Sequence, residues 1–204
     1  MCENGEIFGE ENTLVACADY VLSKTPGPTV SNLSSSRSLI EITKKYNQVH
    51  FYSAVGEVNV VEKMKKHKAV IGGEGNGGVI YPESHYGRDS IVGIGLFLSL
   101  LVERRLPASQ LLKTYPKYFM LKEKVNVSPS LNIDTILKRV IEKYKNEKID
   151  LVDGIRVDFI DSWVQLRKSN TEPIIRVYSE ATTIEKAKTL IKEVEIFISE
   201  IINS

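Results

Sequence analysis

Cysteine is scarce in this chain: Cys2 and Cys17 are its 2 cysteines among 204 residues. That is too few for a disulfide framework, and they form no Cys-x-x-Cys pair of the kind that holds zinc. Cys17 falls inside a helical pattern, so buried free thiols in a reducing compartment are expected. Charge of one sign is missing as well, since 27 Lys and Arg against 26 Asp and Glu leave a net +1. A general nucleic-acid or membrane surface needs a basic excess, so neither partner is expected. The lysines of 64–68 and 138–148 are interleaved with apolar and acidic residues and read as solvated helix faces. No apolar run approaches the ~20 residues of a membrane span. The beginning of the chain, with Glu3, Glu6, Glu10 and Glu11, is the reverse of a signal peptide, which points to the cytoplasm. Low-complexity tracts are absent too, which argues against disorder.

What remains is the composition of a soluble globular protein, 42% hydrophobic and 26% charged with 13 glycines. The length suits one large domain or two small ones, and the patterning favours two. Asn12-Thr13 is positioned to cap a helix carrying Leu14, Val15, Ala18, Val21 and Leu22, which Pro26-Gly27-Pro28 then ends. A strand near 29–33 precedes Ser34-Ser35-Ser36, whose hydroxyls offer N-caps to a helix with Leu39, Ile40 and Tyr46 on one face. Residues 49–53 have strand character. Gly56-Glu57 opens a helix with Val58, Val61 and Met64, Ala69-Val70-Ile71 is a short buried strand, and a glycine-rich loop leads to a helix over 89–104. This alternation predicts a doubly wound α/β/α three-layer domain with a largely parallel sheet, whose ligands bind at loops beyond the carboxyl ends of strands.

The style changes near 115–127, where a polar, lysine-rich stretch between Pro116 and Pro129 reads as a linker. After it come a helix near 133–144, three strands, and a last helix with Thr182 and Glu185 as a capping box. Ile184, Ala187, Leu190, Ile191, Val194, Ile198 and Ile201 sustain one apolar face along it. The second domain is thus expected to be small and α+β, an antiparallel sheet backed by two helices. The expected division is 1–8 as the remnant of a preceding hairpin, 9–118 as the α/β/α domain and 125–204 as the C-terminal domain.

Two stretches carry chemistry. Arg167-Lys168-Ser169-Asn170-Thr171-Glu172-Pro173, closing on Arg176, lies between two strand patterns and should be a turn flanked by two arginines. A guanidinium makes parallel charge-assisted bonds to phosphate, and Ser169, Thr171 and the turn's N–H groups add neutral donors. A solvated polar hairpin is the competing reading of this loop taken alone. The second stretch is Gly72-Gly73-Glu74-Gly75-Asn76-Gly77-Gly78, where glycines let backbone approach a ligand while Glu74 and Asn76 suit sugar hydroxyls. A dinucleotide loop fits poorly, because Glu74 would repel a pyrophosphate, and a P-loop lacks its Lys-Ser/Thr pair.

Together the two stretches closely resemble the α-D-phosphohexomutase family, the phosphoglucomutases and phosphomannomutases. Gly73-Glu74-Gly75-Asn76-Gly77 is similar to the family's sugar-binding loop, and Arg167 to Pro173 with Arg176 to its phosphate-binding loop. Val55-Gly56-Glu57 and Ser35-Ser36-Arg37 also resemble family segments, and the order holds from about Gly9 onward. The resemblance implies the third and fourth domains of a four-domain enzyme that interconverts hexose 1-phosphate and hexose 6-phosphate. It does so through an active-site phosphoserine, a hexose 1,6-bisphosphate intermediate and Mg²⁺. Neither a Thr-Ala-Ser-His-like stretch nor an Asp-x-Asp-x-Asp-Arg metal loop occurs here. No catalytic or metal-ligating residue is therefore expected in this chain, the Mg²⁺ ligands belong to the missing N-terminal domains, and this chain alone is expected to be inactive.

Substrate binding is expected from Glu74, Asn76, Arg167, Ser169, Asn170, Thr171 and Arg176. Several positions depart from the family. Gly78 stands where a histidine is frequent, which leaves His85 as a possible substitute, and Ala54 stands where some members carry lysine. Lys168 and Asn170 replace a frequent proline and glycine while keeping or adding donors. Arg88 reads as a structural charge at a helix start. An intact non-catalytic phosphosugar-binding module is the alternative from another class, and choice among glucose, mannose and glucosamine phosphates stays open.

Overall fold

The computed structural model describes residues 1–128, 132–169 and 172–202. The chain divides into two compact units, Met1–Lys117 and Tyr118–Ser204.

In the first unit, α1 (Glu10–Lys24) starts earlier than the Asn12-Thr13 signal suggests. Gly9 takes φ 91° to turn the chain into the helix. Asn12 Nδ2 and Thr13 Oγ1 donate back to the carbonyls of Phe8 and Gly9, so neither residue caps an N–H. Residues 1–8 form a turn at Asn4-Gly5, where Asn4 Oδ1 accepts the Glu6 N–H, and Cys2 and Phe8 join the same core as α1. Strand β1 (Thr29–Asn32) lies between β2 (His50–Ser53) and β3 (Ile71–Glu74) in parallel, and β4 (Gly78–Ile80) adds an antiparallel edge beside β3. The sheet is thus mixed, in the order β2-β1-β3-β4.

Helices cover both faces of this sheet. On one side α1, α2 (Ser38–Lys45) and α4 (Ser90–Arg104) bury Leu14, Leu22, Leu39, Ile42 and Leu100 with Ile71 and Val79. On the other, α3 (Glu57–His67) brings Val60 and Met64 against Val30 and Ile80. The buried face of α3 is therefore Val60 and Met64, and Val58 is exposed. In α2 Ser38, Leu39, Ile42 and Thr43 are buried, Tyr46 packs partly buried against the same core, and Ile40 is only partly covered. Asp89 caps α4 by accepting the N–H groups of Ile91 and Val92 at 2.8 and 3.0 Å, and α5 (Ala108–Leu112) closes the unit.

The lysine-rich stretch expected to be a linker is a strand. β5 (Phe119–Asn126) pairs antiparallel with β9 (Ile174–Ala181) along its whole length. The second unit's sheet runs β5-β9-β8-β7-β6, with β6 (Lys148–Asp150), β7 (Ile155–Asp158) and β8 (Ser162–Lys168). Four strands, not three, follow α6 (Ile133–Lys143), since Lys148–Asp150 adds a short edge. One face of the sheet packs Ile155, Val157, Val164, Leu166, Ile175 and Val177 against Ile136 and Val140 of α6 and Ile191, Val194 and Ile198 of α7 (Ile184–Ile202). The α7 cap lies one residue later than the Thr182/Glu185 reading: Thr183 Oγ1 accepts the Lys186 N–H at 3.2 Å. Among the described residues no helix is long and apolar enough to cross a membrane.

Candidate functional site

Each unit carries one of the two stretches. In the first unit the glycine-rich segment is a tight hairpin more than a loop, because Gly72, Gly73 and Glu74 belong to β3 and Gly78 opens β4. Close packing explains these glycines. A Cβ on Gly72 would stand 2.6 Å from Met64 Sδ and 2.8 Å from the Val30 carbonyl oxygen, and one on Gly73 would overlap the Gly78 carbonyl. The turn itself is Gly75-Asn76-Gly77, with Gly77 at φ 86°.

Glu74 ends the strand with its carboxylate turned to the protein. Oε1 accepts from Asn32 Nδ2 and from the Gly56 N–H, each at 3.0 Å. Asn32 is the last residue of β1, and Gly56 at φ 115° sets the start of α3. A carboxylate oxygen has two lone pairs, so Oε1 is filled. Oε2 faces Arg88 Nη1 at 3.2 Å and keeps room for one more donor. Glu57 grips the other side of Arg88, accepting from Nε at 2.8 Å and from the backbone N–H at 3.1 Å. Those two bonds hold the Glu57 carboxyl below the usual carboxylate range, and the same guanidinium bond raises Arg88.

The second layer of the turn comes from the serine run. Ser35 Oγ accepts the Gly75 N–H at 2.9 Å and donates to Asn32 Oδ1 at 2.8 Å. Ser35 thus supports the Glu74 turn, and Ser36 Oγ accepts the Ser38 N–H at the start of α2. Glu11 accepts the Ser36 N–H at 2.8 Å, and its carboxylate fills the space a side chain at 75 would need. Asn76 is exposed at the tip, with Oδ1 accepting the Gly78 N–H at 3.2 Å. His85 sits in the turn before α4 and pairs through Nε2 with Asp89 Oδ2 at 2.9 Å, which lowers the Asp89 carboxyl.

In the second unit, Arg167 and Arg176 are cross-strand partners on β8 and β9 and so share a sheet face. Lys124 of β5 stands opposite Arg176 and extends the row to three cations. Like charges directly opposite one another repel, and two loose ion pairs face the three cations: Asp153 lies 3.5 Å from Arg167 Nη1 and Glu172 lies 3.8 Å from Arg176 Nη2. Both arginines are partly solvent-exposed. Gly154, at φ 71°, packs so close to β8 that a Cβ would overlap the Leu166 carbonyl and stand 3.0 Å from Arg167 Cα. The hairpin mouth is fixed by Ser169, whose N–H donates to the Ile174 carbonyl at 3.1 Å. Asn170 and Thr171 lie outside the described residues.

Behind the row, the same face buries Arg156 and Trp163. The guanidinium stacks on the indole at 4.2 Å and bonds Asp158 at 3.0 Å, while Trp163 Nε1 donates to Glu180 at 2.7 Å. Sequence reading missed Lys124, because it lay in the supposed linker, and set Arg88 aside. A cation immediately before an Asp N-cap was the one signal for Arg88. Among the described residues no group of three or more His, Cys, Asp or Glu is placed to hold a metal ion.

Residues 10–118 match the model of the phosphoglucomutase/phosphomannomutase α/β/α domain III, and residues 124–196 that of the C-terminal domain of the same enzymes. A phosphoglucosamine/phosphogalactosamine mutase of Sulfurisphaera tokodaii is 34% identical over 168 residues, 81% of this chain and 37% of the relative. A phosphoglucomutase/phosphomannomutase of Thermococcus kodakarensis is 33% identical over 187 residues, 91% of this chain and 41% of the relative. Among solved structures, a phosphoglucomutase/phosphomannomutase family protein of Burkholderia thailandensis shares the fold with a TM-score of 0.79 at 22% identity, over 97% of this chain and 43% of that one. The chain thus spans less than half the length of these relatives. Two domain models in the family's own order, which together take in the Glu74 turn and the Arg167–Arg176 hairpin, make this chain a member of the α-D-phosphohexomutase family, spanning its third and C-terminal domains.

Proposed function

We propose that this chain supplies the sugar and phosphate recognition of a phosphohexomutase that interconverts hexose 1-phosphate and hexose 6-phosphate. Arg167 and Arg176, with Ser169, Asn170 and Thr171, hold the phosphate that is not reacting, and Glu74 and Asn76 read ring hydroxyls. The phosphoserine, the bisphosphate turnover and the Mg²⁺ assistance belong to residues outside this chain, so the chain by itself binds without turning substrate over. The setting is the cytoplasm. The observation that carries the reading is the facing pair Arg167–Arg176, whose carboxylates stand 3.5 and 3.8 Å away. Two planar guanidinium forks on one sheet face, in a row of three cations with two loosely paired carboxylates, suit the several oxygens of a tetrahedral phosphate monoester.

The test is an NMR titration of the chain with glucose 1-phosphate, mannose 1-phosphate and inorganic phosphate, beside Arg167→Ala. Sugar phosphates should shift the amides of both Gly73–Gly78 and Lys168–Arg176, inorganic phosphate only the latter, and the substitution should abolish the hairpin response. Silence of both segments at millimolar sugar phosphate would sink the reading.

A further inference from the structure

We propose that Arg88 is a substrate-contacting, specificity-determining residue that shares one sugar hydroxyl with Glu74; this rests on the sugar-binding reading of the Glu74 turn. Gly78 makes it possible. A Cβ there would stand 2.5 Å from Arg88 Cδ and 3.2 Å from Cγ, so the missing side chain is what lets the arginine stem lie across the hairpin. The stem's course brings Nη1 to 3.2 Å from Glu74 Oε2, while Glu57 fixes Nε at 2.8 Å. The guanidinium is thereby oriented from two sides without being engulfed: its side chain remains 43% exposed.

The donor count then decides the role. A guanidinium has five N–H groups in a planar fork. Glu57 uses the Nε–H, Nη1 lies 3.2 Å from Glu74 Oε2 as an ion pair, and the outer edge keeps further donors. Glu74 Oε1 is filled by Asn32 and Gly56, so the open acceptor position of this carboxylate, on a side chain only 6% exposed, is at Oε2, the oxygen beside Arg88. A hydroxyl donates one hydrogen and accepts at its oxygen. Bonded to Oε2, it presents its lone pairs to the neighbouring Nη groups. The pair is therefore complementary to a neutral hydroxyl. An ammonium at that ring position would satisfy Glu74 but meet the guanidinium charge, and a deleted hydroxyl would leave one acceptor position of Oε2 and the outer guanidinium donors without a ligand partner.

The experiment follows the Arg88 Nε–Hε correlation of ¹⁵N-arginine-labelled chain during titration with glucose 1-phosphate, with inorganic phosphate as control, beside Arg88→Met and Arg88→Lys. Glucose 1-phosphate should move both the Gly73–Gly78 amides and the Arg88 side-chain signal, and inorganic phosphate should move neither. Arg88→Met should weaken glucose 1-phosphate about tenfold or more, and Arg88→Lys less, since lysine keeps charge but cannot bridge two carboxylates. If the Gly73–Gly78 amides of the unsubstituted chain do not respond, the sugar-binding reading itself fails and takes this one with it. If they respond while the Arg88 signal stays fixed, Arg88 only props Glu74 and the inference is overturned, even where Arg88→Met weakens binding. The side-chain signal is read in the unsubstituted chain, so a poorly folded variant does not decide the outcome.

Discussion

The Glu74 turn and the Arg167–Arg176 hairpin are both polar stretches between paired strands, yet their charges are settled in opposite ways. Around Glu74 the protein completes its own network: one carboxylate oxygen is filled by Asn32 and Gly56, the other is held by Arg88, and Ser35 and Glu11 brace the turn behind it. At the hairpin, like charges are set opposite one another with carboxylates only at 3.5 and 3.8 Å. A network that is satisfied internally contributes to folding and offers a ligand a few fixed vacancies. A row that is left underneutralised contributes little to folding and gains most when an anion arrives. Substitutions in the first turn should therefore act on stability as well as on binding, and those in the second on binding alone.

The largest expected effect tests the rigidity of the first. Gly73→Ala drives a methyl into the Gly78 carbonyl and to 3.0 Å from Leu14 Cδ1. Backbone on one side and a buried leucine on the other leave little room to yield, so the cost should be about 3 kcal/mol. Urea unfolding followed by far-ultraviolet circular dichroism would show a clear fall in midpoint, and an unchanged midpoint would mean that the hairpin is much looser than described. Glu74→Gln comes next. The amide oxygen can keep both Asn32 and Gly56, but its NH₂ then faces the Arg88 guanidinium, a donor it cannot accept from, and Arg88 loses its buried counter-charge; about 2 kcal/mol is expected in the same assay.

Arg167→Ala is the counterpart on the hairpin, and its stability effect should be within about 0.5 kcal/mol because the lost pair with Asp153 is offset by relief of the cationic row. Its phosphate response should nevertheless vanish. A stability loss as large as that of Glu74→Gln would erase the contrast between the two sites.

How much of this was readable beforehand follows the same physics. The α7 stripe and the β8–β9 hairpin were legible because their apolar residues recur with a period set by a buried face, and both proved to pack on one core. Strand β5 was not. It is an edge strand whose exposed face carries Lys122 and Lys124 and whose core face includes Glu123, so the alternation that marks a half-buried strand is blurred. Gly72 and Gly73 read as loop because glycine usually marks turns, whereas here they admit Met64, Val30 and the facing strand at close range. Arg88 was set aside because its meaning depends on Glu57 and Glu74, which local spacing does not connect. A contact between distant segments has no periodicity to betray it.

The smallest expected effect is a titration. Arg88 holds Glu57 by its guanidinium and its backbone N–H, and both bonds favour the ionised carboxylate, so the folded Glu57 should titrate below its ordinary value of 4.5. The sign follows from linkage. A group whose folded value is depressed contributes stability that is fully present above the unfolded value and is lost as pH falls through the folded one. The Glu57–Arg88 bridge should therefore be intact at neutral pH and release only under acid, below the range in which an isolated glutamate protonates. Following the Glu57 side-chain carboxyl by ¹³C NMR should give a midpoint under 4.5, and Arg88→Met should move it upward toward that value. A midpoint that is ordinary in both forms would mean that Arg88 is not held from the Glu57 side, and the fixed orientation that distinguishes the first site from the underneutralised hairpin would be lost with it.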